Sequence, residues 1–266
     1  MRLKDRVAIV TGGGSGIGKA ISSRFAGEGA RVVIAARNLE RLQETVKEYQ
    51  SKGWKAMAVK TDIGDHEQIK NMVAETVKAF GRIDILVNDA AAMGSPSADV
   101  VDMDLEVWNA AFKINLTGTM LCCREVMKVM IPQKSGSVIN ISSIGGVYAI
   151  RSKSPYSVSK RAIIGLSEVL ALEGGKDNIR INTLSPAATH SQEFVDNIGR
   201  IAKAKGKTFE EIWGKVTGNN ALLRIAKPEE VAACALFLAS DDSTAVTGHN
   251  LEVTCGFHIT HPGDVQ

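Results

Sequence analysis

Apolar residues fall into short runs along this chain, and between the runs they recur every three or four positions. The runs predict strands at Val7–Thr11, Arg31–Ala35, Lys55–Lys60, Ile83–Asn88, Gly136–Ile141, Ile179–Leu184 and Asn250–Val253. Several runs are continuous rather than alternating, as expected of strands covered on both faces. The periodic stretches predict helices at Gly18–Glu28, Leu39–Lys52, His66–Phe80, Leu105–Pro132, Ser154–Gly174 and Pro228–Ala239. Asp65 before His66 and the run Lys227-Pro228-Glu229-Glu230 have the chemistry of helix starts. Strand–helix repetition of this kind makes an α/β fold, a doubly wound parallel sheet with helices on both faces. No linker, repeat or low-complexity segment divides the 266 residues, so a single domain is expected. The irregular part, 187–223, reads as only loosely helical. A strand-free length of this size is expected to be a substrate-binding flap.

Bulk chemistry narrows the class without naming it. Hydrophobic content of 44% and charged content of 23% are ordinary globular values. A net charge of +3 is too mild for a nucleic-acid partner, and Lys203, Lys205 and Lys207 read as a solvated helix face. Cys122, Cys123, Cys234 and Cys255 lack C-x-x-C spacing, so neither a disulfide framework nor a zinc site is expected. The adjacent pair reads as small core residues. No apolar run approaches the ~20 residues that span a bilayer. The chain enters its first strand without a leader pattern, so the expectation is a cytoplasmic protein.

Tyr156-Ser157-Val158-Ser159-Lys160 places a phenol and an ammonium one helical turn apart on one face. A nearby cation favours the phenolate, which readies a Tyr to exchange a proton with an alcohol or carbonyl oxygen. The first strand runs into Thr11-Gly12-Gly13-Gly14-Ser15-Gly16-Ile17-Gly18 and then into a helix. Glycines at 12, 16 and 18 allow a tight turn that presents N–H groups and a helix N-terminus to a pyrophosphate. No Gly-Lys-Ser/Thr follows, which excludes a Walker loop. The second strand ends in Ala35-Ala36-Arg37-Asn38, with no carboxylate for ribose hydroxyls. Arg37 offers a donor fork suited to a 2′-phosphate, so NADP(H) is favoured over NAD(H).

Thr11-Gly-x-x-x-Gly-x-Gly18, Asn88-Asp-Ala-Ala91, Asn115, Ser143 and Tyr156-x-x-x-Lys160 occur in that order. Together, and over nearly the whole chain, they resemble the short-chain dehydrogenase/reductase family. The resemblance implies a Rossmann-like, seven-stranded parallel sheet and hydride transfer between a nicotinamide cofactor and a secondary alcohol or carbonyl compound. It implies that Tyr156 is the general acid/base, and that Lys160 lowers its pKa and holds the nicotinamide ribose. Ser143, thirteen residues before the Tyr, would hydrogen-bond the reacting oxygen in preference to Ser142. Asn115 would hold a water for proton relay. Gly12, Ser15, Gly16, Ile17, Gly18, Arg37, Asp62, Ile63, Asn88 and Pro186 would line the cofactor. A homo-oligomer, tetramer or dimer, is implied through the helices spanning 105–130 and 162–172.

Three positions depart from the family pattern: Asp89-Ala90-Ala91 for Asn-Ala-Gly, Ala187 for the Gly after Pro186, and Thr254-Cys255-Gly256 for Asp-Gly-Gly. The first two leave open a non-catalytic dinucleotide sensor, and a Ser–Lys hydrolase would leave the glycine turn without a purpose. His258-x-x-His261 has no acidic or Cys partner at ligand spacing, so no metal is expected. His190 lies where it could face substrate. Phe209, Ile212, Trp213 and Val216 form one helical face that either caps an apolar substrate or packs on the body. Met93-Gly94-Ser95 and Gly145-Gly146-Val147-Tyr148 should line the same, largely apolar cleft. That lining suits a neutral, cyclic or aromatic ketone or alcohol, with a 3-oxoacyl thioester as the alternative.

Overall fold

The computed structural model describes residues 1–92, 97–257 and 259. Seven parallel strands form one sheet: β1 (Val7–Thr11), β2 (Arg31–Ala36), β3 (Ala56–Lys60), β4 (Ile85–Asn88), β5 (Gly136–Ile141), β6 (Ile179–Pro186) and β7 (Asn250–Val253), in the order β3-β2-β1-β4-β5-β6-β7. Successive residues of a strand point to opposite faces, and here both faces are covered. Ala8 and Val10 join one core with Ile21 and Phe25 of α1 (Gly16–Gly27), Leu42 and Tyr49 of α2 (Leu39–Ser51) and Leu236 of the helix Pro228–Ala239. Ile9 between them joins the other core with Met72 of α3 (His66–Phe80), Cys122, Cys123 and Val126. The double coverage is why the strand runs are continuous in sequence. Asp65 caps α3 by accepting from Glu67 N–H at 2.9 Å, and Gly81, at φ 76, ends the helix left-handed.

One predicted helix is broken. The span from 105 to 132 is α4 (Leu105–Phe112), a π-helical turn (Lys113–Gly118) and α5 (Thr119–Gln133). Asn115 sits inside that turn with its side chain buried, and Thr119 Oγ1 donates to its carbonyl at 2.8 Å. A π turn inserts one residue per turn and so re-aims a side chain inward, a device that periodicity cannot reveal.

The segment 187–223 is more regular than its sequence predicts. After the short α6 (Ile144–Val147) and the long α7 (Ser154–Gly174), it carries α8 (Gln192–Ala204) and α9 (Phe209–Gly218), followed by α10 (Pro228–Ala239). Thr208 and Glu211 close a reciprocal cap on α9 with bonds of 3.2 and 2.8 Å. Phe209, Ile212, Trp213 and Val216 pack with Phe194, Ile198, Ile201 and Ala202 of α8 in a third, separate cluster. The apolar face of α9 is thus engaged by its neighbouring helix. No described helix is long and apolar enough to cross a membrane.

Candidate active site

The carboxyl ends of the strands lie in a row, and the order reverses direction at β1, which is where open α/β sheets bind ligands. Gly12 (φ 72) and Gly16 (φ 51) take the left-handed backbone that the turn after β1 requires. A Cβ at Gly18 would strike the Gly12 carbonyl. Ser15 makes no side-chain cap and the first turn of α1 has no acidic residue, so the N–H groups of the helix end are not capped from within α1; the Asp89 carboxylate stands beneath Gly12 and Gly18. Ile17 is half-buried beside it. These features fit a pyrophosphate.

Arg37 is exposed at the end of β2 and forms no ion pair among the described residues. Arg41, one turn into α2, brings its Cγ within 3.9 Å of where a Cβ at Gly14 would stand. After β3, Asp62 Oδ1 accepts the Gly64 N–H at 2.9 Å, and Ile63 is buried in the second core. Pro186 ends β6 and is buried.

Asn88 is arranged differently from the expectation that it lines the cofactor. Its Nδ2 donates to Asn140 Oδ1 at 2.8 Å and to Cys123 Sγ at 3.3 Å, inside the molecule. Asn140 Nδ2 continues to Ser167 Oγ at 2.9 Å. This buried chain ties β4, β5 and α7 together beneath the cleft.

The catalytic candidates converge. Ser142 donates to the Lys160 carbonyl at 2.7 Å and is taken up by α7. Ser143, next to it, caps α6 by accepting the Gly145 N–H at 3.1 Å, and its hydroxyl favours the Tyr156 phenolate. Lys160 is buried and donates to the Ile141 carbonyl at 2.8 Å, with its Nζ 6.0 Å from the centre of the Tyr156 ring. Asn115 Oδ1 accepts the Ala92 N–H at 2.7 Å, and its Nδ2 donates to Ser159 Oγ at 3.0 Å. Ser159 in turn donates to the Tyr156 carbonyl at 2.9 Å, linking Asn115 to the helix that carries the Tyr.

The electrostatics differ from the expectation in one respect. Burial pushes the Tyr156 phenol up, the Ser143 hydrogen bond opposes this, and the Asp89 carboxylate adds to the rise. Burial lowers the Lys160 ammonium, against the pull of Asp89. A phenol below its ordinary value is not a property of the protein alone.

The Gly-to-Ala departures carry no strain, since neither Ala91 nor Ala187 has a positive φ. Cys255 does, at φ 54. His190 is exposed, with its ring edge-on to Trp213 at 5.4 Å. Among the described residues no three His, Cys, Asp or Glu side chains group as metal ligands. Met93-Gly94-Ser95, His258 and His261 lie outside the described residues.

A family model described as enoyl-(acyl carrier protein) reductase matches residues 12–258. The 3-oxoacyl-(acyl-carrier-protein) reductase FabG of Thermotoga maritima is 36% identical over 97% of this chain and 100% of its own length. The chain belongs to the short-chain dehydrogenase/reductase family. An NAD+-bound xylitol dehydrogenase structure superimposes with a TM-score of 0.90 at 30% identity, covering 96% of this chain and 100% of that one. An actinorhodin polyketide ketoreductase with NADPH gives 0.88 at 30% identity, covering 95% and 97%. As a family member the protein is an NAD(P)-dependent oxidoreductase acting on alcohol and carbonyl groups.

Four residues around the site carry no signal of their role in the sequence. Ser159 and the Asn140–Ser167 pair are ordinary polar residues whose partners are distant in sequence. Asp89 was visible only as a departure from the family pattern.

Proposed function

We propose that the chain is an NADP(H)-dependent oxidoreductase that interconverts a neutral ketone and its secondary alcohol, with Tyr156 as acid and base. The observation that carries this reading is the convergence of Ser143 at the start of α6 with Tyr156 and the buried Lys160 of α7, whose Nζ stands 6.0 Å from the centre of the Tyr ring. When bound, the cofactor supplies or accepts the hydride. In the reduction direction, negative charge grows on the carbonyl oxygen. The Ser143 hydroxyl donates a hydrogen bond to that oxygen, and the Tyr156 phenol donates its proton. The Lys160 ammonium stabilises the phenolate left behind. In oxidation the same groups run in reverse, with Tyr156 accepting the alcohol proton. Asn115 holds its place through Ala92 and Ser159, which suits a fixed point for proton relay.

The glycine turn and the open end of α1 would hold the pyrophosphate. Arg37, without an internal partner, would meet the 2′-phosphate. Gly145 supports a cleft shaped around the Tyr ring, since a Cβ there would stand 3.2 Å from Tyr156 Cε1 and 2.8 Å from Ile150 Cδ1. The segment 187–223 serves as the substrate-binding flap. A 3-oxoacyl thioester is the second reading, favoured by the full-length match to the 3-oxoacyl reductase. The exposed Val169 and Leu172 of α7 and Leu105 of α4 favour a homo-oligomer built on those helices.

The test is titration with NADPH and NADH, followed by turnover of ketones, aldehydes and acyl thioesters with the preferred cofactor. Tighter NADPH binding is expected, with Arg37→Ala weakening it about tenfold or more while leaving NADH unchanged. Tyr156→Phe should cut kcat by roughly 10²–10⁴-fold and spare cofactor binding. Unchanged turnover in that variant would sink the mechanism.

A further inference from the structure

The glycine turn after β1 has an open side and a filled one. A Cβ at Gly16 would meet nothing within 4 Å, so that position faces free space. Gly12 and Gly18 both face a single atom of another loop. Asp89 Oδ2 lies 3.0 Å from where a Cβ at Gly12 would stand and 2.6 Å from one at Gly18. One carboxylate oxygen thus fills the crossing of the two glycines, and a side chain at either position would collide with it.

The backbone holds Asp89 in that place. Thr11, the last residue of β1, accepts the Asp89 N–H at 3.1 Å and the Ala90 N–H at 3.2 Å on its Oγ1, and the same hydroxyl donates to the Val87 carbonyl at 3.4 Å. The end of β4 is thereby pinned to the end of β1, its neighbour in the sheet, beside the turn. Burial raises the Asp89 carboxyl, while Lys160 and the Gly18 N–H favour its charged form. The family pattern has Asn at this position, a neutral side chain of the same shape.

A diphosphate is drawn to such a turn by its N–H groups and by the positive end of the helix behind it. A fixed anion packed against the same glycines opposes that attraction, because like charges a few ångströms apart repel, and protein screens them less than water does. We propose that Asp89 is an affinity-setting residue: its carboxylate, held under Gly12 and Gly18, weakens the grip of the turn on the diphosphate of either nicotinamide cofactor. The inference rests on the reading that this turn holds the diphosphate. Asp89 acts on the part that NADP(H) and NAD(H) share, so it lowers both affinities alike. Discrimination between the two stays with Arg37 at the end of β2.

The experiment titrates the full chain and Asp89→Asn with NADPH and with NADH, following cofactor fluorescence at about pH 8, well above the ordinary carboxylate range. The Kd of both cofactors should fall in the variant by one common factor, about three- to tenfold. A carboxylate that only fills space gives equal Kd values, since Asn fills the same space, and one that braces the turn gives weaker binding in the variant. Either result overturns the proposal, as does a gain confined to NADPH. If Asp89→Asn fails to fold, Asp89→Ser removes the same charge and is read in the same way. Gly16→Asp tests the turn itself: it sets a carboxylate on the open side, at a left-handed position that Asp tolerates, and should weaken both cofactors about tenfold or more. Unchanged binding in Gly16→Asp would remove the diphosphate from the turn and the proposal with it. Weaker binding there, with no gain in Asp89→Asn, overturns the role of Asp89 alone.

Discussion

Cys255 holds a left-handed backbone, φ 54, where an L side chain is crowded. Its carbonyl accepts the Leu222 N–H at 3.1 Å, so the conformation is needed to close the end of the segment that begins after β6. Cys255→Gly removes the crowding and should stabilise the protein by about 1 kcal/mol, a rise in Tm of about 2–4 °C in thermal denaturation. The residue scale is also where the sequence was most and least legible. Tyr156 and Lys160 could be named because the chemistry constrains residue type and spacing together, and Ser143 and Asn115 through the family resemblance. Ser159, Asn140 and Ser167 could not, because each is defined by a partner far along the chain. The internal partners of the Asn88 amide were not legible for the same reason. Its position after the fourth strand suits the cofactor, but its amide meets Asn140 across β4 and β5.

At the scale of elements, α3 and α5 are joined by a buried acid. Glu125 is 8% exposed and receives His66 of α3 at 2.9 Å together with Arg124 and Lys128 of its own helix. The Lys128 hydrogen bond first, then those of His66 and Arg124, hold its carboxyl down at about 2. A depressed carboxyl contributes stability above its unfolded value, near ~4.3, and loses it as pH falls towards the folded one. Glu125→Gln should therefore destabilise the protein by about 1–2 kcal/mol at pH 7, with the gap from the unaltered chain closing as pH drops from about 4.5 to 2. Urea denaturation at a series of pH values measures this, and a gap independent of pH would refute the pairing. Strands were legible from continuous apolar runs, and caps from Asp65 and Pro228. The π turn at Lys113–Gly118 was not, because the apolar period continues across it. Nor was α8; of α9 the apolar face Phe209, Ile212, Trp213 and Val216 was legible, but not the α8 residues it packs on.

For the whole molecule, the exposed apolar face of α7 gives the clearest expectation. Leu172 is 85% exposed and Val169 53% exposed on the helix that carries Tyr156 and Lys160. If copies associate through this face, Leu172→Glu should reduce the mass measured by light scattering to that of the monomer while cofactor binding persists. Cofactor binding is a second global readout, since a ligand that binds only the folded state stabilises it in proportion to its affinity. NADPH at a hundred times its Kd should add about 2.7 kcal/mol. NADH at the same concentration should add less.

The route by which the chain leaves and rejoins the sheet has a further consequence. Thr189 and Ala226 are bridged, and the His190 N–H donates to the Ala226 carbonyl at 2.8 Å. The intervening residues thus leave and return through a narrow neck, and their two helices share an apolar cluster separate from both cores of the sheet. Such a segment resembles a cassette. With the segment as the proposed substrate-binding flap, its interior can change while the sheet below keeps its own packing, so selectivity can shift without a matching loss of foldability.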